Sequence, residues 1–313
     1  MKILVVVMVV VCSQYLFAQG AEDCTSVINP EQRLVCYDRL HGYGYTAPIS
    51  AKANNQKGDL VEEKAKKSIR PYRLSYFLPV SYNSDRQTAD QIIGIETPPD
   101  LDEIEGKFQI SFKFTIWDEF FADDVELLGA YTQKSFWQMY NSTHSAPFRE
   151  TNYEPEIFVS KEMDIDVLGL NWFSTNFGFV HQSNGRANPL SRSWNRIYFD
   201  LMFKKGNFGL SLKPWWRVEE NVAGDDNPDI EDYLGTYEIT MNYQLGESEF
   251  SLMLRNLASS EHQETFQLSW LYPLTDSISL YAEYFHGYGE SLVDYNYLNE
   301  TIGIGLSIND LVD

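Results

Sequence analysis

The feature that most constrains this chain is a strict alternation of apolar and polar residues, repeated in segments about ten residues long. In 107–116, Phe108, Ile110, Phe112, Phe114 and Ile116 alternate with Gln109, Ser111, Lys113 and Thr115. In 236–245, Tyr237, Ile239, Met241, Tyr243 and Leu245 alternate with Glu238, Thr240, Asn242 and Gln244. In 301–309, Ile302, Ile304, Leu306 and Ile308 alternate with Gly303, Gly305, Ser307 and Asn309. A strand sends successive side chains to opposite faces, so each segment carries one apolar and one polar surface. About ten residues is the length of a tilted strand that crosses a bilayer. Candidate strands lie at 71–82, 107–117, 125–139, 153–163, 168–183, 195–205, 208–218, 235–246, 249–258, 265–273, 277–287 and 301–310. That makes twelve, an even number, which lets a closed barrel keep both termini on one side.

A soluble β-sandwich would alternate in the same way, and other features decide between the two. Aromatic residues make up 15% of the chain, with 20 Tyr, 19 Phe and 7 Trp, which suits the girdles of a membrane barrel. Short turns such as KKGNFG alternate with longer loops. Residues 1–20 read as a signal peptide, with Lys2, the apolar run ILVVVMVVV and the cleavage site Ala18-Gln19-Gly20. Beyond it no run of about 18 apolar residues forms a membrane helix. The expected fold is all-β: a twelve-stranded antiparallel transmembrane β-barrel over 70–313. Residues 21–69, polar and poor in aromatics, form a periplasmic extension and linker. Its Cys24 and Cys36 suit a local disulfide in an oxidising compartment. Many outer-membrane barrels end on an aromatic residue; here the end is INDLVD. A net charge of −21 argues against nucleic acid as a partner.

The stretch HQSNGRANPLSRSWNR carries the chemistry. On 168–183 the odd residues Phe173, Phe177 and Phe179 are apolar, so the odd face meets lipid. His181 and Ser183 continue that face. On the returning strand, Ile197, Phe199, Leu201 and Phe203 are odd, and so is Asn195. Three polar side chains therefore face lipid at the ends of two joined strands, a costly place for groups with no task. His181 and Ser183 stand about 6.5–7 Å apart along one face, close enough for rotamers to join them. Ser183 would be the nucleophile, His181 its base, and Asn195 a neutral orienter of the imidazole. The plainer alternative is that all three cap a loop at interfacial depth, and parity alone leaves both open.

The same stretch resembles the active-site segment of the bacterial outer membrane phospholipase A family. The similarity continues through GAYTQKSFWQ, APFRETNYEPEIF, LKPWW, DDNPDIEDYLG and YGESLVDYN, over most of 70–313. It implies a twelve-stranded barrel and His181, Ser183 and Asn195 as catalytic residues. It implies phospholipase A1, phospholipase A2 and lysophospholipase activities in the outer membrane, calcium dependence, and activation by homodimerisation. The implied calcium ligands are the Arg186 carbonyl and the Ser191 hydroxyl, with Ser145 contributed across the dimer, about one ion per active site. Waters on that ion and the Gly185 N–H would meet the oxyanion. SNGRANPLS is not a calcium motif by itself; without the family it reads as a hydrogen-bonded turn. Gln133, on the same face as Leu127, Gly129, Tyr131 and Trp137, is the implied dimer contact, provided that strand's parity holds. Where the family often carries Asp, this chain has Asn188, so a second calcium site shared with Asp226 should be weak or absent. Ala146 replaces a common Ser.

A non-enzymatic porin or adhesin is the competing function; it predicts conductance and indifference to loss of Ser183. A lipase-type fold is excluded by the lack of a G-x-S-x-G elbow. His144, His262 and His286 are scattered and share no metal-ligand spacing.

Overall fold

The computed structural model describes residues 69–84, 101–143, 145–221, 224–258 and 261–308. The expected signal, the Cys24 and Cys36 pair, the linker, His144 and the last five residues lie outside the described residues. The chain forms β1 (Arg70–Pro71), β2 (Tyr76–Tyr82), β3 (Ile104–Trp117), β4 (Val125–Trp137), β5 (Phe148–Val167) and β6 (Leu170–Ser183). It continues with β7 (Ser193–Lys205), β8 (Phe208–Val218), a five-residue helix α1 (Ile230–Leu234), β9 (Tyr237–Leu245) and β10 (Ser248–Arg255). β11 (Thr265–Thr275), β12 (Ile278–Gly287) and β13 (Asn299–Ser307) complete it.

Apart from β1, which pairs with β3, the strands pair antiparallel with their sequence neighbours, and β13 returns to β2. β3 pairs with both β2 and β4, which closes the ring. β1 and β2 pair with the same strand, Arg70 opposite Lys113 and Tyr76 opposite Gln109. They are two pieces of one interrupted stave, so the barrel has twelve. Among the described strands closure leaves none as a free sheet edge, the condition for lying in lipid.

The alternation read from sequence sorts the side chains as expected. Phe177, Phe179, Ile197, Phe199, Ile302, Ile304 and Leu306 are exposed on the outside. The opposite parity is buried inside and is largely polar, with charged residues among it. Lys107 joins Glu283 and, at 2.8 Å, Glu290. Arg149 reaches Glu105 and Asp294, each at 3.0 Å, and Arg73 reaches Glu154 and Glu156 at 2.7 and 2.6 Å. The YGESLVDYN loop supplies Glu290 and Asp294 and buries Leu292, Val293 and Tyr295. Pairing and hydrogen bonding are what make such burial of charge tolerable.

The expected strand 71–82 is broken over residues 72–75, and two further features differ from the sequence expectation. β5 is 20 residues long, against the expected 153–163. Its extra residues include the charged Arg149 and Glu150 at one end and Asp164 and Asp166 at the other, yet cross-strand pairing carries both ends of the strand. α1 lies in the DDNPDIEDYLG loop, too short to show a helical period; its Ile230 and Leu234 are buried with Trp194, Tyr198 and Trp215. The connections at one end are tight, as at Gly206 and Gly246, both with positive φ. At the other end lie the longer loops 138–147, 184–192 and 219–236. In outer-membrane barrels that end faces the cell exterior.

Candidate active site

The site is built at the long-loop end of β6, β7 and β8. Register pairs His181 with Asn195, Ser183 with Ser193, and Asn195 in turn with Val218. Ser183 also lies opposite Tyr153 of β5. These residues occupy the outward face, directly above exposed Phe179, Ile197 and Trp216. The row of polar groups thus adjoins an apolar wall.

His181 Nδ1 stands 2.9 Å from Asn195 Oδ1. The Asn195 Nδ2 donates to Glu220 Oε1, also at 2.9 Å. A carboxylate only accepts, so this bond assigns nitrogen and oxygen within the amide. Oxygen faces the imidazole, so Nδ1 is the donor, and in the neutral ring the Nε2 lone pair is left free. Ser183 lies two residues along the same face with no hydrogen bond from its hydroxyl among the described residues. In hydrolases, contacts between a nucleophile and its base commonly close only when substrate is bound. Glu220 was not found from the sequence. The signal was present: even residues of β8, Trp216 and Val218, face outward, and Glu220 continues that parity past the strand end.

The 184–192 loop is held from within. Asn184 is buried; its Nδ2 donates to the Leu190 carbonyl at 2.8 Å, and its Oδ1 accepts the N–H groups of Arg192 at 3.0 Å and Arg186 at 3.3 Å. Gly185 has φ +65°, and a Cβ there would lie 3.2 Å from the Tyr153 ring. The DDNPDI loop buttresses the far side: Asn227 Oδ1 accepts the Ser193 N–H at 2.9 Å, and Arg217 binds Asp225 at 2.7 Å. Tyr295 donates to Asp229. Burial, and then the Asp229 carboxylate, hold that phenol well above its ordinary range, so it remains a donor.

Arg186 and Ser191, the expected calcium ligands, both lie in this loop. The Arg186 guanidinium turns to the lumen, to buried Glu150 at 3.2 Å and the Arg149 carbonyl, which takes its charge away from the outer face. The Ser191 hydroxyl donates to the Asp226 carboxylate. Oxygen donors with a carboxylate at hand suit a hard cation. Among the described residues no cluster of three or more His, Cys, Asp or Glu forms a metal site. Ser145 belongs to a different loop, exposed and at φ 60°. That loop is tied by Trp137 Nε1 to the Ala146 carbonyl at 2.9 Å and by the Ala146 N–H to the Asn141 carbonyl at 2.8 Å.

Gln133 faces outward between Ile110 and Tyr153, so the expected parity of its strand holds. Its amide is occupied within β4: it accepts from Tyr131 Oη at 3.0 Å and donates to Ser135 Oγ at 3.1 Å. His262 sits in a loop, 3.9 Å from Glu264, and His286 packs on Phe266; neither joins a metal cluster.

Residues 53–308 match a family model described as phospholipase A1. A phospholipase A1 of Klebsiella pneumoniae is 40% identical over 243 residues, covering 78% of this chain and 83% of that protein. The solved outer membrane phospholipase A from Escherichia coli aligns at 37% identity and a TM-score of 0.73, over 78% of this chain and 99% of that one. A Salmonella typhi outer membrane phospholipase, solved as a dimer with bound calcium, aligns at 36% identity and a TM-score of 0.73. It covers 78% of this chain and 93% of that one.

Proposed function

The chain belongs to the phospholipase A1 family, and from that premise we propose that it hydrolyses phospholipid acyl esters with Ser183 as nucleophile, His181 as base and Asn195 as orienter. It is an integral outer-membrane protein, and its relatives place it among phospholipid ester hydrolases. The observation that carries the residue assignment is the 2.9 Å contact between His181 Nδ1 and Asn195 Oδ1 beside Ser183, on the lipid-facing surface.

The chemistry follows from those groups. His181 Nε2 takes the proton of Ser183 Oγ as the oxygen attacks the ester carbonyl carbon. The Gly185 N–H meets the oxyanion of the tetrahedral intermediate. Collapse breaks the ester bond, and the imidazolium proton goes to the departing alcohol oxygen. Water, deprotonated by His181, then releases the fatty acid from Ser183. The nucleophile stands outside the barrel, against an apolar wall, so either acyl position can reach it. Phospholipase A1, phospholipase A2 and lysophospholipase activities are all within this reading.

The calcium and dimer of the Salmonella typhi relative extend to this chain in the same reading. The Arg186 carbonyl, the Ser191 hydroxyl and the partner subunit's Ser145 would hold one ion per active site. When bound, calcium supplies positive charge and ordered waters beside the Gly185 N–H, where negative charge develops. A site completed by a second chain makes activity depend on dimerisation, with Gln133 as a contact across the dimer.

The test is phospholipid hydrolysis in detergent micelles by wild type and Ser183→Ala, with calcium and with excess chelator. Acyl release only by wild type in calcium supports the assignment; full activity of Ser183→Ala overturns it.

A further inference from the structure

We propose that Glu220 is a positioning residue that acts on the catalytic imidazole through Asn195; this rests on the Ser183, His181 and Asn195 reading. Glu220 follows β8 by two residues, and β8 is the strand next to Asn195: Asn195 pairs with His181 on one side and Val218 on the other. The carboxylate therefore arrives on the outward face, across Asn195 from His181. It is half-buried, and Asn195 Nδ2 donates to it at 2.9 Å.

A carboxylate at the lipid-facing end of a strand would ordinarily be expected to hold a cation. Glu220 has none: among the described residues no Lys, Arg or His lies within salt-bridge distance, and the adjacent Arg217 is committed to Asp225 at 2.7 Å. Among the described residues the Asn195 amide is its side-chain hydrogen-bond partner.

The consequence concerns the histidine tautomer. An asparagine amide is nearly symmetric in shape and can rotate by half a turn, exchanging its donor and acceptor ends. With nitrogen towards His181, Nδ1 would have to accept, the proton would sit on Nε2, and Nε2 could not take the Ser183 proton. Only the rotamer with oxygen towards His181 leaves a base facing the serine. The bond to Glu220 is charge-assisted and holds that rotamer, because an acid anion cannot accept from the oxygen end. Asparagine lacks the charge that lets a carboxylate fix the imidazole by itself. Glu220 provides that constraint one residue removed, away from the imidazole.

The measurement is steady-state hydrolysis in calcium-containing micelles, with folding checked by heat-modifiable gel migration of the barrel. The variants are Glu220→Ala, Glu220→Gln, Asn195→Ala, the double Asn195→Ala with Glu220→Ala, and Ser183→Ala. Glu220→Ala is expected to lower kcat roughly tenfold with KM unchanged. Glu220→Gln, which keeps an acceptor oxygen, is expected to recover part of that loss. In the Asn195→Ala background, removing Glu220 is expected to change nothing further. A folded Glu220→Ala barrel with wild-type kcat, or an equal loss with and without Asn195, would overturn this inference alone while Ser183→Ala stays inactive. An active Ser183→Ala would overturn the serine reading and this inference with it.

Discussion

His181 and Asn195 are direct cross-strand partners on β6 and β7, with Nδ1 and Oδ1 2.9 Å apart. The register of two antiparallel strands, not a loop conformation, sets this contact. Replacing Asn195 should therefore damage catalysis more than folding. Asn195→Ala is expected to reduce kcat by roughly 10²-fold, in the range typical of acid–base assistance, with little change in KM. Steady-state kinetics on a mixed-micelle substrate checks this.

Gly185 should tolerate no side chain. Its φ of +65° disfavours any L-residue, and an added Cβ would press on the Tyr153 ring at 3.2 Å. Gly185→Ala is expected to move the N–H offered to the oxyanion and to lower kcat by roughly 10²-fold, the usual effect of losing one such donor. The barrel should still form, as gel mobility before and after heating would show.

Calcium affinity should depend on the Ser191 and Asp226 pair. Asp226→Asn keeps the hydrogen bond to Ser191 but removes the charge, and Ser191→Ala removes a ligand oxygen. Each is expected to raise the calcium concentration for half-maximal activity by roughly tenfold or more, as changes around a metal ligand commonly do. A calcium titration of acyl release reads this directly, and excess chelator should abolish activity in wild type.

The lumen is narrowed by ion pairs and by buried Tyr76, Tyr281, Trp215 and Phe285, so reconstitution in a planar bilayer is expected to give little steady conductance, unlike a porin. Breaking one network should cost stability. Lys107→Ala leaves Glu283 and Glu290 buried against each other and is expected to destabilise the barrel by about 3–5 kcal/mol. Unfolding in denaturant, followed by gel mobility, measures it.

Gln133 already bonds to Tyr131 and Ser135 in its own strand, so a dimer contact through it exchanges bonds instead of creating them all anew. Gln133→Leu is expected to weaken dimerisation only modestly, about threefold in the equilibrium constant, matching the roughly 0.6 kcal/mol typical of polar contacts between membrane segments. Energy transfer between labelled barrels in micelles, titrated against detergent, gives the ratio.

Alternation in the sequence determined the strands, their count and the side each residue faces, while the aromatic load, the export signal and the short turns chose a barrel over a sandwich. The period of a strand is two and lipid admits only apolar surface, so Phe177, Phe179 and Ile197 could sort in one way only. The same counting put His181, Ser183 and Asn195 on one outward face, and the resemblance of the segment to a known family gave them roles. What alternation could not supply was register across strands, and contacts between residues remote in the chain. That His181 stands opposite Asn195 is decided by where β6 and β7 begin to pair. That Asp226 reaches Ser191 across 35 positions, and Glu220 reaches Asn195 across 25, is decided by loops that carry no period. The length of β5 was hidden for the same reason: its ends are charged, and pairing with β4 and β6, not hydrophobicity, keeps them extended. Local pattern fixes the face of a residue because backbone geometry does; its partner is fixed only once the ring of strands has closed.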